Sequence, residues 1–505
     1  MGIHTKKAIK TVSVITIAIL AAKVLGMMRD IVFAHLYGTS MQSDAFLSAS
    51  RIPLLFFDLT LGAAVLSTFI PVFNRHLQTD RKKAFQFANT FLNIILLISG
   101  TFCVLGMVFA QQLARAFAPG LSVESIDLAT KLLVIMLPTA VFTAAAYVFV
   151  GILQSLDEFT IPAIISLVSN GGVIIYLLFF NQYFGIYGMA VALLIAWSLQ
   201  ILVQVPSLMK KGYRYRFHLN LHEDGLSDVF RLAGPILVSS WVQPICVTIN
   251  MRFASFLGEG SIASLDYANK LYIILVGVFT FAITNYIFPS LSRMSGADDK
   301  EGFRNTIKTA FSAMLALIMP IAAGMALFSG PIVRVVYERG QFNQDSVATT
   351  ATALAFFSLG MVGLGINEIL NKGFYAMKDG KTPMYSAIWG IAVNVLLAYI
   401  LFTYTPMGIG GLALAASISS IVIAVVLVTN MHKKIKFIDR DMLFTIFKIM
   451  IATLVMAIAA FGTNRLIAGF MLNKYIDIGI TIGVGMLAYG AMLVALGVFK
   501  KMREI

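Results

Sequence analysis

The chain has 505 residues, of which 59% are hydrophobic and only 12% charged. Soluble domains carry about 25% charged residues, so the composition excludes an ordinary soluble fold and points to an integral membrane protein. The formal net charge of +14 suggests a nucleic-acid partner only until its placement is traced, because the cations concentrate in short loops between apolar segments.

Fourteen apolar segments follow one another, centred near residues 24, 58, 100, 138, 171, 197, 241, 277, 315, 361, 392, 419, 454 and 487. Each runs for about 20–30 residues, enough for a helix to cross a ~30 Å hydrocarbon core. Alternating β-barrel patterning is absent. The expected fold is therefore an all-α polytopic membrane protein with about 14 transmembrane helices.

The basic loops fall on alternate connections. Lys6, Lys7 and Lys10 precede segment 1, and Arg75, Arg81, Lys82 and Lys83 lie between segments 2 and 3. Lys210, Lys211, Arg214 and Arg216 follow segment 6, and Arg293, Lys300 and Arg304 follow segment 8. Lys378 and Lys381 follow segment 10, Lys433, Lys434, Lys436 and Arg440 follow segment 12, and Lys500, Lys501 and Arg503 close the chain. The opposite loops hold Arg115, Arg334, Arg339, Arg465 and Lys474. Cytoplasmic loops carry the excess of lysine and arginine, so both termini are expected in the cytoplasm. Segment 1 has internal charges and no small-x-small cleavage site, which reads as a retained helix. Cys103 and Cys246 lie in apolar segments with no paired spacing and read as core residues.

Several charges interrupt the apolar segments themselves. Lys23, Arg29 and Asp30 lie in segment 1, Asp44, Arg51 and Asp58 in segment 2, Arg252 in segment 7 and Lys270 in segment 8. A cation at the centre of a membrane helix costs about 2.5–3.5 kcal/mol on insertion scales, which calls for an explanation. Alternate crossing puts Arg29, Arg51, Arg252 and Lys270 at a similar level in the outer half of the membrane, with Lys23 deeper. Snorkelling to the outer headgroups is one account. The other is a water-filled cationic cavity for an anionic ligand, where the planar arginine fork suits phosphate and carboxylate. Asp30 and Asp44 are candidate supports for the cations, since Lys23 to Asp30 and Asp44 to Arg51 are each seven residues, two helical turns. Arg231, Lys308 and Lys448, near cytoplasmic helix ends, read as snorkelling.

The chain also repeats itself. Gly38, Pro71, Gly151, Pro162 and Gly188 recur as Gly258, Pro289, Gly373, Pro383 and Gly411, at offsets of 220, 218, 222, 221 and 223. Arg51 and Lys270 follow their glycines by 13 and 12 residues. This predicts a six-helix lobe at 1–215, a second at 216–435, and two additional helices at 436–505. Six is even, so the repeats are parallel, an arrangement that places a substrate site at their interface in alternating-access transporters. The linker at 210–225 is long enough to let the lobes rock.

Catalytic signals are weak. Gly380-Lys381-Thr382 lacks the upstream glycine of a P-loop and is followed by Pro383. The six histidines show no ligand spacing, and no metal or cofactor is expected. Without an ATPase motif, work would come from an ion, the membrane potential or substrate flux. A net charge crossing 100 mV exchanges about 2.3 kcal/mol.

The motifs in combination resemble a known family. Gly26-Met27-Met28-Arg29-Asp30, Ser43-Asp44-Ala45-Phe46, Arg51-Ile52-Pro53 and Phe69-Ile70-Pro71-Val72-Phe73 look like the N-terminal signature of the MurJ (MviN) lipid II flippases. Leu265-Asp266-Tyr267-Ala268-Asn269-Lys270, Glu338-Arg339-Gly340-Gln341-Phe342 and the stretch from Phe374 to Pro383 extend the resemblance over essentially the whole chain. It implies the fold of the multidrug/oligosaccharidyl-lipid/polysaccharide exporter superfamily, with a central cationic cavity and a lipid-facing groove at the last two helices. It implies a flippase of the bacterial cytoplasmic membrane that turns lipid II to the outer leaflet, working as a monomer among membrane lipids. On that resemblance Arg29, Arg51, Arg252, Lys270 and Lys23 would meet the pyrophosphate and peptide carboxylates. Four positions depart from the family pattern. Phe57 and Asp58 stand where relatives often carry basic residues, and Lys270 replaces an arginine. Asn394 is followed one turn later by Ala398 rather than an aspartate, which argues against a sodium site used by some relatives.

Two other readings belong to transport: a flippase for another undecaprenyl-linked polysaccharide repeat, or a drug exporter of the same superfamily. A membrane enzyme acting on polyprenyl phosphates needs acidic or metal-binding loops. The acidic pair Asp298-Asp299 lies in a solvated turn.

Overall fold

The computed structural model describes residues 3–60, 68–221, 223, 225–227, 229, 241–467 and 473–498. Among them every regular element is a helix. Arg231 and the C-terminal Lys500, Lys501 and Arg503 lie outside the described residues. Among the described residues nine helices are long and apolar enough to span a membrane, or ten if one bent pair is counted as a single span. That count takes Thr160–Lys210 as one 51-residue stretch. The backbone turns inside it at Gly185 (φ 53°, ψ −145°), a conformation that only glycine adopts readily.

The chain divides by packing into Met1–Ala263 and Ser264–Ile505. The first unit holds α1 (Ile3–Tyr37), α2 (Met41–Thr60), α3 (Ile70–Thr79), α4 (Arg81–Val108), α5 (Ala110–Phe117), α6 (Val123–Met136), α7 (Thr139–Ser155), α8 (Thr160–Ile175), α9 (Asn181–Lys210) and α10 (Val242–Ala254). The division falls inside α11 (Ser261–Gly296). Helix α10, expected from the sequence to open a second lobe, packs with the first unit, against α2 and α5. Helix α2 runs unbroken through Pro53. The core of the unit is aromatic: Phe69 lies 5.3, 5.7 and 4.9 Å, ring to ring, from Phe73, Phe87 and Phe91. Gly151 lets α7 approach this stack, since a Cβ there would lie 2.9 Å from the Phe69 ring.

The second unit continues with α12 (Lys300–Leu327), α13 (Ser329–Tyr337), α14 (Gln344–Leu359), α15 (Met361–Ala376), α16 (Lys381–Tyr404), α17 (Gly408–Ile435), α18 (Arg440–Ile467) and α19 (Lys474–Ala495). Asp299, one of the acidic pair, caps α12 by accepting from the Gly302 amide at 2.9 Å. Helices α14 and α15 form the bent pair, with 46° between them at Gly360. Carbonyls around the bend find serines on α17. Ser417 Oγ donates to Phe356 O at 2.6 Å, and Ser420 Oγ to Gly360 O at 3.1 Å. The contact is backbone-close, because a Cβ on Gly360 would sit 2.7 Å from Ser417 Cα.

The α18–α19 hairpin is fastened to this unit at several levels. Tyr489 Oη donates to Ala316 O at 2.6 Å, and Lys474 Nζ pairs with Glu338 at 3.0 Å. Lys448 donates to Leu496 O at 2.7 Å, closing the C-terminus of α19. It has a protein partner where the sequence suggested snorkelling. Lys308 likewise pairs with Asp439 at 2.6 Å, joined by Arg304 at 3.5 Å. A carboxylate from the α17–α18 turn was not foreseeable from helix position alone.

The turns recur across the two halves of the sequence. Positive φ occurs at Gly38 and Gly258, at Asp157 and Lys378, and at Gly185 and Gly408. Their separations are 220, 221 and 223 residues, the offsets of the sequence repeat. After α7 the Glu158 amide bonds to Leu153 O at 2.9 Å, and after α15 the Asp379 amide bonds to Phe374 O at 2.9 Å. Both are the six-to-one bond of a Schellman ending, made here with a non-glycine residue at the left-handed position.

Asp439 supplies a pH-dependent element of stability. Partial burial pushes its carboxyl up, but Lys308, the Met442 amide and Arg304 outweigh burial and hold it below its usual range. A lowered carboxylate stabilises the fold at neutral pH, and that stabilisation is lost as pH falls through the lowered value. Asp439→Asn is therefore expected to melt at a lower temperature than the parent at pH 7. The gap should close below the carboxylate range, as read by thermal unfolding in detergent. A gap that persists in acid would remove the ion pairs as its cause.

Candidate functional site

Helix α1 places Lys23, Arg29 and Asp30. The Arg29 guanidinium donates twice to Asp30 Oδ1, from Nη2 at 2.9 Å and Nε at 3.2 Å. Its Nη1 donates to Asn170 Oδ1 on α8 at 3.0 Å. Asn170 in turn donates to Ala22 O at 3.4 Å, tying α8 back to α1. Asp30 is 7% exposed, whereas the Arg29 side chain is 27% exposed. A guanidinium carries five N–H donors. Three are engaged here, so the fork is held in place with donors remaining for an anion.

Lys23 lines a cavity of about 440 Å³ whose other polar walls are Gln154, Ser166 and Asn170. Asn170 thus faces the cavity and also holds Arg29. Sequence reading did not single it out. The only signal was an asparagine before Gly171-Gly172 in an apolar run, which says nothing of its partner.

Arg51 on α2 reaches across to α10, donating to Pro244 O at 2.9 Å and Thr248 Oγ1 at 3.4 Å. Arg252, in the last turn of α10, donates to Ala116 O near the end of α5. Next to it, Ser255 Oγ donates to Arg252 O at 2.7 Å and accepts from the Gly120 amide at 3.0 Å. Both arginines therefore spend a donor on a backbone carbonyl. Lys270 lies in the second unit, 2.8 Å from Asp266 one turn earlier on α11.

Asp44 departs from its expected role as a support for a cation. It is fully buried, and its two oxygens accept from the Gly260 and Ala263 amides at 2.7 and 2.8 Å. These amides open α11. Glu259 returns the favour, accepting from the Met41 amide at the start of α2 at 2.7 Å. The two helices thus finish each other's N-termini, where orphan amides and the helix dipole both favour a carboxylate. The pairing was invisible in sequence because the donors are main-chain groups more than 200 residues away.

Helices long and apolar enough to span a membrane, cations held by protein partners and a cavity with polar groups in its wall define a polytopic membrane transporter. A solved multidrug resistance MATE family transporter of the MOP superfamily shares the fold, with a TM-score of 0.70 over 83% of this chain and 98% of that one at 19% identity. The family model described as Lipid II flippase MurJ matches residues 33–481, and the chain belongs to that family. A probable lipid II flippase MurJ of Buchnera aphidicola subsp. Schizaphis graminum is 28% identical over 476 residues, 93% of this chain and 92% of that protein. The lipid II flippase MurJ of Burkholderia cenocepacia is 28% identical over 440 residues, 85% of this chain and 84% of its own length. A solved lipid II flippase MurJ in an inward closed conformation superposes with a TM-score of 0.82 at 26% identity, covering 96% of this chain and 98% of that one.

Proposed function

We propose that this chain moves lipid II from the cytoplasmic to the outer leaflet of a bacterial cytoplasmic membrane by alternating access. Arg29 carries the reading: a guanidinium held by Asp30 and Asn170 keeps donors for a pyrophosphate, beside a cavity that Lys23 lines. Arg51, Arg252 and Lys270 complete the cationic set. The placement of the basic loops supports cytoplasmic termini. The recurring left-handed turns support two parallel six-helix repeats within about fourteen spans, followed by the α18–α19 hairpin. On this reading the protein is a transporter without catalysis or cofactor, acts as a monomer, and draws on the membrane potential or an ion.

The test is genetic and chemical together. In cells depleted of their own flippase, this chain should restore wall synthesis and the exposure of lipid II on the outer surface. Insertion without rescue would overturn the reading. Rescue of a different undecaprenyl-linked glycan, or drug resistance alone, would move the chain to another branch of the superfamily.

A further inference from the structure

The connection that leaves α9 has a built geometry. Arg81, the first residue of α4, donates to Lys211 O. Two rungs follow: Tyr213 Oη donates to Asn89 Oδ1 and Tyr215 Oη to Asn93 Oδ1, each at 2.7 Å. Asn93 also donates to His218 O at 2.9 Å. Asparagines four apart on a helix rise about 6 Å, and tyrosines two apart on an extended chain advance about 6.6 Å. The spacings match, so an extended segment lies docked along a helix. Past the second rung α4 offers it no further asparagine.

From there the apolar residues continue at alternate positions. Tyr215 is 50% exposed, Phe217 77%, Leu219 45% and Leu221 68%. Arg214 and Arg216 flank Tyr215 and are exposed, and the exposed Lys210 precedes the segment. The ladder also sets a depth. Asn93 lies 15 residues before the end of α4 at Val108, about 22 Å along the axis. A ~30 Å hydrocarbon core measured from Val108 ends near Asn89, the first rung, and leaves Asn93 about 8 Å inside that edge, within the interfacial zone. Residues 215–221 therefore sit at the membrane boundary on the basic-loop side, where amphipathic rings and basic side chains are favoured.

We propose that residues 213–221 form a strap that binds the anionic phospholipid surface of that leaflet, with Phe217, Leu219 and Leu221 entering the acyl boundary and Arg214 and Arg216 meeting the phosphates. A linker fastened in this way is not a slack tether. The inference is independent of the transported substrate.

Spin labels placed one at a time on the full-length protein test it, through Arg214→Cys, Arg216→Cys, Phe217→Cys, Leu219→Cys and Leu221→Cys in a background with Cys103 and Cys246 replaced. The protein is held in nanodiscs of phosphatidylcholine, with or without phosphatidylglycerol. Labels at 217, 219 and 221 should collide preferentially with oxygen, and those at 214 and 216 with an aqueous nickel complex. Adding phosphatidylglycerol should move the first set several-fold further toward oxygen. Labels at 217–221 shielded from both relaxants would mean that protein covers the segment, and loss of alternation would mean that it is solvated; either overturns the proposal. Equal accessibility in both lipids would overturn its anionic part. Hydrogen exchange of the unlabelled parent across 213–221 gives a second reading free of substitution. It should slow in phosphatidylglycerol discs, and unchanged exchange would count against the strap.

Discussion

Arg29→Lys is expected to fold like the parent and yet fail to rescue flippase-depleted cells, whereas Lys131→Ala rescues fully. Lysine keeps the charge beside Asp30, so the nearly buried carboxylate retains a counter-ion. What it loses is the planar fork: the simultaneous grip on Asp30 and Asn170 with further donors held ready. Hydrogen bonds to charged groups contribute about 1.5–3 kcal/mol each, so losing two to a pyrophosphate would cut transport by at least a hundredfold. Arg29→Ala should also fail, but it strands the nearly buried Asp30 carboxylate, so its failure alone would say little about the ligand. Lys131 is exposed in an ion pair with Asp127 at 2.6 Å, and such pairs contribute about 0–1 kcal/mol. Melting temperature in detergent and growth after depletion separate the cases. An Arg29→Lys form that rescues as well as the parent would remove arginine geometry from the mechanism.

The second large effect falls on Asp44, whose carboxylate is taken up by main-chain amides. Asp44→Ala leaves the Gly260 and Ala263 amides without their carboxylate acceptor in a buried place. Each orphaned buried group costs about 1–3 kcal/mol, so a loss of roughly 2–6 kcal/mol is expected. Glu259→Ala removes the reciprocal cap from an exposed amide and should cost about 1 kcal/mol. Thermal unfolding of the two variants in the same detergent gives the comparison. Equal losses would mean that burial does not set the difference.

These two residues also show where sequence reading succeeds and stops. Insertion cost singles out Arg29 because a charge in an apolar run is anomalous whatever surrounds it. The same logic flags Asp44, but spacing then points to Arg51, seven residues away on the same helix. The actual donors are main-chain amides, which carry no letter in a sequence. Lys308 and Lys448 fail for a related reason: Asp439 and the Leu496 carbonyl come from other elements. Asn170 escapes notice because an uncharged amide in an apolar run breaks no charge pattern, and the partner that satisfies it lies on another helix. Gly38 and Gly258 are legible as punctuation, because a left-handed turn restricts the choice of residue whatever packs against it. The family resemblance reached the class of protein on combined motifs, none of which encodes a contact.

The bend between α14 and α15 carries a consequence for how the second unit can move. A broken helix usually leaves carbonyls for water, and water lets such a joint flex at little cost. Here Ser417 and Ser420 take that place, and Asn367 returns a bond to Ser420 O at 3.0 Å. Straightening the pair would strip three partnered groups in a buried setting. The elbow is welded, so α14, α15 and α17 travel as one piece, and any motion in this unit must be taken up at its edges.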